Sequence, residues 1–420
     1  MDNSSCKRIV RGMKNISDIL IVGGGLNGPA LALALAQTGH SVTIVDALQP
    51  EQQAEDDFDG RGYALALASQ RLLQRIGVWQ HVADHAQPML DIKVTDGHAG
   101  QGPSPFFLHF DHTELEEGPM GYMVEDRFLR RAFQKAMSET PGISRINGRK
   151  VLSQASDANA VDVTLDDGTE LRGRVLVGAD GRRSGTAQRA GIKRTGWDYG
   201  QTALVCAIHH EKAHNGVAHQ FFMPAGPLAI LPLPGNMSSI VWSERTETAK
   251  AIHALADQSY LQALRPRFGD FLGEISLAGK RFTYPLGLSL ANSFVAPRLA
   301  LVGDAAHGMH PIAGQGLNAG LRDVGALAEV LTEATRRGED IGAIPVLERY
   351  QQWRRFDTAT LAAATDAFNR LFSNDNPVLR LGRDLGLGLA GAIPGLRRNF
   401  MREAAGLTGD LPKLLKGEMI

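Results

Sequence analysis

The stretch ILIVGGGLNGPALALALAQTGHSVTIVD, residues 19–46, reads as one βαβ unit. Ile19 to Val22 form a short buried-strand run, Pro29 to Thr38 carry helical spacing, and Ser41 to Val45 return as a second strand. Gly23, Gly25 and Gly28 stand between the first strand and the helix in the pattern G-x-G-x-x-G. The first glycine permits a tight turn, the second lets backbone approach a pyrophosphate, and the third lets helix and strand pack closely. The helix N-terminus then turns unpaired N–H groups toward the phosphates. Asp46 ends the second strand, where a carboxylate can accept hydrogen bonds from an adenosine ribose. With 47 glycines in 420 residues, a purely structural loop is the alternative reading. Strand, helix and acid in register favour a dinucleotide, and the motif does not separate FAD from NAD.

Composition bounds the rest. A chain 43% hydrophobic and 21% charged buries a real core, and at roughly 150 residues per domain it holds two to three domains. A formal net charge of −1 gives no whole-chain attraction to nucleic acid. Cys6 and Cys206 lie far apart and form no CxxC, which fits a reducing cytosol. Residues 1–15 read as a polar extension with no apolar signal region, and Met13 is an alternative start. No run of about 18 apolar residues spans a bilayer, so the expectation is a cytoplasmic protein, at most peripheral to the inner membrane.

Further along, Glu125 to Met137 has helical spacing, and Val151 to Val177 alternates as strands around an Asp167-Gly168 turn. Trp197 to Trp242 reads as an antiparallel sheet punctuated by Gly226-Pro227 and Pro234-Gly235. Leu299 to Val302 is another buried strand, and helices follow Leu317, broken at Pro345, Pro377, Pro394 and Pro412.

The segment Gly303 to Asp323, GDAAHGMHPIAGQGLNAGLRD, resembles the FAD-dependent aromatic-ring hydroxylases. Its HPIAGQGLNAGLRD portion is similar to the signature of the ubiquinone-biosynthesis hydroxylase family. GRGYALALAS from Gly60, GYMVED from Gly121 and VGADGRRS from Val177 agree in order, so the resemblance covers most of the chain from Ile16 onward. It implies an α/β fold like that of para-hydroxybenzoate hydroxylase: a discontinuous Rossmann-like FAD-binding domain (16–75, 118–196 and 282–340), an antiparallel β-sheet substrate domain (76–117 and 197–281) and C-terminal helices (341–420).

Within that frame, Asp304 ends a strand where a carboxylate can accept from a flavin ribityl hydroxyl; a helix cap is the alternative. Gly314, Gln315, Gly316, Leu317 and Asn318 open a helix whose free N–H groups can meet the flavin pyrimidine edge and favour negative charge there. Pro311 fixes the loop beside the ring, or is simply a rigid turn. Pro311 and Gly316 are thus expected to position the flavin, with no side chain committed as acid or base. Asp180 and Gly181 match the family's DG element. The arginine expected three residues after Ser184 is replaced by Ala187, with Arg182, Arg183 and Arg189 nearby. Arg61 matches an arginine beside the flavin and its pyrophosphate, with a surface role as the alternative. Arg127, after Glu125-Asp126, is a cofactor ligand or half of a helix-start charge pair. His209, His210, His214, His219, His307 and His310 fit no zinc spacing, so no metal is expected; the first four read as exposed and His307 as structural.

The resemblance implies a monooxygenase in which NADPH or NADH reduces FAD and a flavin hydroperoxide formed with dioxygen hydroxylates a polyprenylated phenol on the path to ubiquinone. Phe221, Phe222, Met223, Leu228, Ile230 and Leu231 are candidates to line an apolar route for the prenyl tail, or are core. The arginine-rich stretch from Arg380 to Leu407 either docks a membrane surface or a biosynthetic partner, or packs on the FAD domain. Oligomeric state stays open. The rival functions are a flavin oxidoreductase or hydroxylase acting on another aromatic or prenyl substrate, and a non-catalytic scaffold of the same fold.

Overall fold

Ile19, Leu20 and Ile21 are all buried, as a parallel strand covered by helices on both faces must be. The computed structural model describes residues 16–53, 58–98, 100, 102–309, 315–372 and 393–420. The chain runs β1 (Ile16–Val22), α1 (Asn27–Ala36), β2 (Val42–Val45), α2 (Pro50–Gln53), β3 (Gly62–Ala66) and α3 (Leu67–Arg75). Strands β4 (Ala86–Met89), β5 (Asp91–His98), β6 (Gly102–Asp111) and β7 (Gly121–Glu125) lead into α4 (Asp126–Glu139). Next come β8 (Ile143–Ile146), β9 (Val151–Ser156), β10 (Val161–Leu165), β11 (Glu170–Gly178) and a short α5 (Gly185–Arg189). The following strands are β12 (Arg194–His210), β13 (Val217–Phe222), β14 (Leu228–Leu233) and β15 (Met237–Arg245), with α6 (Thr246–His253) and α7 (Asp257–Phe268) after them. Last are β16 (Ile275–Leu277), β17 (Phe282–Ala291), β18 (Val295–Ala296), β19 (Leu299–Leu301), β20 (His307–Gly308), α8 (Gln315–Arg336) and α9 (Ile344–Phe372).

One sheet runs β18-β19-β11-β1-β2-β8, with β19, β11, β1, β2 and β8 paired parallel and the hairpin β9-β10 attached to β11. Helices α1 and α8 cross it together. Thr38 and Thr332 share a hydroxyl hydrogen bond of 3.0 Å, and His40 Nε2 lies 2.9 Å from the Thr335 hydroxyl. Tyr350 of α9, fully buried, donates its hydroxyl to the Leu301 carbonyl at 2.7 Å. We call this layer the floor.

A second sheet, the roof, runs β20-β17-β12-β15-β14-β13-β5-β6, and β3-β7-β4 forms a small antiparallel sheet. The roof differs from the expected antiparallel sheet in one pair: β13 and β5, far apart in sequence, run parallel, with β6 to β12 lying between them in the chain. Residues 282–291, assigned from sequence to the FAD domain, form β17 and pair with β12 in the roof.

Two C-terminal expectations also change. Pro345 stands in the first turn of α9, where its missing N–H costs nothing, so it opens that helix rather than breaking it. Pro394 likewise starts the helix Pro394–Ala404, and Pro377 lies outside the described residues. The terminal segment packs back on the floor: Ala68 N–H donates to Ala405 O at 3.1 Å, and Trp353 Nε1 donates to Asp410 O at 2.9 Å. Arg397 pairs with Glu114 at 2.8 Å and Arg402 with Glu117 at 2.5 Å, so two arginines of the proposed docking stretch face the protein itself. Among the described residues no helix is long and apolar enough to cross a membrane.

Candidate active site

Floor and roof enclose a cavity of about 1690 Å³. A pocket for one small ligand measures roughly 300–1,000 Å³, so this one holds two side by side. Gly25, Arg61, Gly181, Asp304, Gly316, Leu317 and Asn318 all line it, although the sequence scatters them. They meet because parallel strands place their carboxyl ends, and the loops that leave them, along one edge of the sheet. Pro311 and Gly314 lie outside the described residues.

The glycines divide into two kinds. Gly23 has a φ of +113°, and a Cβ there would stand 2.3 Å from Ala179 O; on Gly28 it would stand 1.9 Å from Gly23 O. These two let backbone pack on backbone. At Gly25 and Gly316 a Cβ would meet no atom of a described residue within 4 Å, yet both residues line the cavity. Their missing side chains leave space for something other than protein.

The acids divide similarly. Asp46 Oδ2 accepts the Gly24 N–H and its Oδ1 accepts the Leu48 N–H at 2.7 Å, so this carboxylate braces the glycine loop from outside the cavity lining. Asp180 accepts the Ser184 hydroxyl, and from Thr186 both the N–H and the hydroxyl at 2.9 Å, which ties down the start of α5. Its neighbours Ala179, Gly181 and Arg182 line the cavity and Asp180 does not. Asp304 lines the cavity, and its carboxylate makes no hydrogen bond to any described residue; its backbone is held from behind, where Arg194 donates to the carbonyls of Asp304, at 3.2 Å, and Ala305.

Helix α8 points its N-terminus at the same space through Gln315, Gly316 and Leu317. The side chain of Asn318 is spent elsewhere: Oδ1 accepts from Ala66 N–H at 2.9 Å and the Ser69 hydroxyl at 2.7 Å, and Nδ2 donates to Ala64 O at 2.9 Å. Asn318 therefore clamps α8 to β3 and α3, leaving backbone N–H groups to face the cavity. Behind the helix, Asp323 accepts from Gly303 N–H at 2.9 Å, His307 Nε2 at 2.5 Å and Arg354 Nε at 2.8 Å, all three side chains being buried. Burial opposes the charge on Asp323, but His307 and Arg354 outweigh it and hold the carboxyl below its usual range. This network locks the Gly303-Asp304 turn to α8. Sequence reasoning reached His307 as structural but missed Asp323 and Arg354; an acid and an arginine on otherwise apolar helix faces were the available signal.

Arg61 lines the cavity while bound to Asp59 at 2.6 Å and Asp126 at 3.2 Å. Burial works against its charge, yet these two carboxylates raise its pKa above the ordinary arginine value. Arg127 sits outside the lining, its Nε donating to buried Glu125 at 2.8 Å and its guanidinium over Phe128. The helix-start charge pair describes what its side chain does here. Of the arginines near Ala187, Arg182 lines the cavity, whereas Arg189 donates to Gln154 and Val151 O on the floor hairpin.

The roof presents apolar side chains, and strand alternation selects them. Of the six residues expected along the prenyl route, Phe222 and Leu231 line the cavity. Phe221, Met223, Leu228 and Ile230 point to the opposite face, where they pack with Trp242, Tyr260, Leu264 and Phe268. Of the four histidines expected to be exposed, His209 is exposed, whereas His210 is buried with Nδ1 2.8 Å from Lys212 O, and His214 and His219 are half-buried, His214 Nε2 lying 2.8 Å from Leu233 O.

These features suit FAD: two open glycine sites, an unpaired acceptor at Asp304, helix N–H donors for a polar ring edge, and volume beyond one ligand. Residues 17–362 match the family described as FAD binding domain. The chain belongs to this family, in its ubiquinone-biosynthesis hydroxylase branch. It is 47% identical to ubiquinone hydroxylase UbiL from Rhodospirillum rubrum over 405 residues, covering 96% of this chain and 93% of that protein. Identity to 3-demethoxyubiquinol 3-hydroxylase from Escherichia coli is 36%, covering 93% and 99%. Among solved structures, p-nitrophenol 4-monooxygenase PnpA from Pseudomonas putida DLL-E4 superposes with a TM-score of 0.79 at 20% identity, covering 94% of this chain and 99% of that one, a likeness of fold. The family member described here is thus an FAD-dependent monooxygenase.

Proposed function

We propose that the protein hydroxylates the aromatic ring of a polyprenylated phenol on the route to ubiquinone, with NADPH or NADH as electron donor and dioxygen as the oxygen source. The observation that carries this reading is one cavity with two chemistries: a floor of open backbone and a free carboxylate, and an apolar roof, with volume for a cofactor and a ring together. FAD, when bound, supplies the activation of dioxygen. The chain supplies placement. The α8 N-terminus favours negative charge at its end, Asp304 accepts hydrogen bonds from polyol hydroxyls, and the roof excludes water while holding the ring at a fixed distance.

The direct test combines labelled dioxygen with complementation of hydroxylase-deficient strains, each blocked at one ring position. Label in a phenolic product and rescue of at least one strain are expected; failure in every strain overturns the ubiquinone assignment. The reading also places the protein in the cytoplasm, peripheral to the inner membrane where a prenylated substrate resides. Exposed Ile393, Leu396 and Phe400 form an apolar stripe on and before the helix Pro394–Ala404 that supports such contact. Replacing all three by Ser should lower co-sedimentation with anionic vesicles without loss of FAD.

A further inference from the structure

The roof sheet crosses the cavity in rows. Its pairing register aligns Val205, Val241, Ala229, Gln220, Val94 and Leu108 across six strands, and all six line the cavity. Five are apolar. In the adjacent row Ala218, Ile92 and Phe110 are apolar as well. Gln220 is the polar side chain in these rows, half-buried and without a hydrogen bond to any described residue. His219 beside it also borders the cavity, but its ring packs with Phe221 and Phe271 at 5.7 and 4.7 Å.

A primary amide among valines, alanine and leucine finds no partner among the described residues and faces the cavity, so what fills the cavity must satisfy it. The amide offers two donors and one acceptor. A prenyl tail has no group to match these; the oxygen substituents of a phenol or quinol ring match both. We propose that Gln220 binds a ring oxygen of the substrate and thereby sets which ring carbon faces the floor. The assignment rests on the ring-hydroxylase reading and adds the residue that orients the ring.

The experiment compares wild type with Gln220→Met and Gln220→Glu as FAD-loaded proteins, measuring FAD content, NAD(P)H oxidation, hydroxylated product and hydrogen peroxide. Both variants should keep wild-type FAD content, because Gln220 lies on the roof. Product per NAD(P)H consumed should fall roughly tenfold, the worth of one buried hydrogen bond, with peroxide rising to balance. Wild type should also prefer an oxygenated ring over the analogue lacking one ring oxygen, and Gln220→Met should lose that preference. If Gln220→Met fails to fold, the isosteric Gln220→Glu, which when ionised only accepts, gives the same readouts. Unchanged coupling and unchanged ring preference in a folded variant overturn the proposal. A wild type that hydroxylates no prenylated phenol overturns the ring-hydroxylase reading instead.

Discussion

The floor and the roof bound the same cavity with different parts of the chain. The floor presents backbone: Gly25, Gly316 and the first turn of α8 matter for what they lack, a Cβ or an intrahelical hydrogen-bond partner. The roof presents side chains, chosen by every second residue of β12, β15, β14, β13, β5 and β6. A floor built of backbone binds a cofactor through features common to every copy of the motif. A roof built of side chains can be retuned to another substrate without disturbing the floor.

The largest effect should come from the floor's buried network. Asp323→Ala leaves buried His307 without its acceptor and buried Arg354 with Asp357 alone, and should cost about 3–5 kcal/mol in chemical denaturation. A loss below about 1 kcal/mol would show that the Gly303 turn is held by something else. Gly316→Val comes next. A Cβ there meets no atom of a described residue within 4 Å, so apoprotein stability should hold while FAD affinity falls by roughly a hundredfold, about 2–3 kcal/mol. Normal FAD occupancy in folded Gly316→Val would refute the backbone account of the floor.

The roof should respond to pH through His219. Burial, reinforced by Lys93, pushes His219 down to about 4, so it folds neutral. The stability this provides is complete above pH 6.5 and disappears as pH falls toward 4, a loss of about 3 kcal/mol that His219→Phe should remove from the stability–pH profile. Asp323, whose carboxyl is held low, keeps its contribution until pH falls below the ordinary carboxylate range. The smallest effect is expected for Asp46→Ala, which should weaken FAD binding by about 1 kcal/mol in a titration monitored by flavin fluorescence. An unchanged affinity would confine Asp46 to bracing the Gly24 turn.

The two regions also differed in how far they could be read. The β1-α1-β2 unit lies within a few residues of its expected bounds, because a glycine-punctuated turn and buried-strand runs are local signals. Asp304, Gly316 and Leu317 fall on the cavity as expected, since their places follow from strand ends and a helix start. The helix-start charge pair of Arg127 with Glu125 was legible because the partner is two residues away, whereas the side-chain roles of Asp180 and Asn318 were not: they depend on the fold of the α5 turn around Thr186 and on the strand β3. In the C-terminal tail, Gly406, Gly409 and Gly417 take positive φ where the chain turns back onto α3 and α8, which local pattern could not anticipate.

By itself the sequence determined that this chain builds a dinucleotide floor, because tight turns and free helix ends are properties of a few consecutive residues. Only the tertiary structure decided which roof residues see the cavity. A strand buries both its faces here, one against α6 and α7 and one against the substrate space, so composition and period are the same on each side. The pairing register alone separates Phe222 from Phe221, and sets Gln220 in an apolar row.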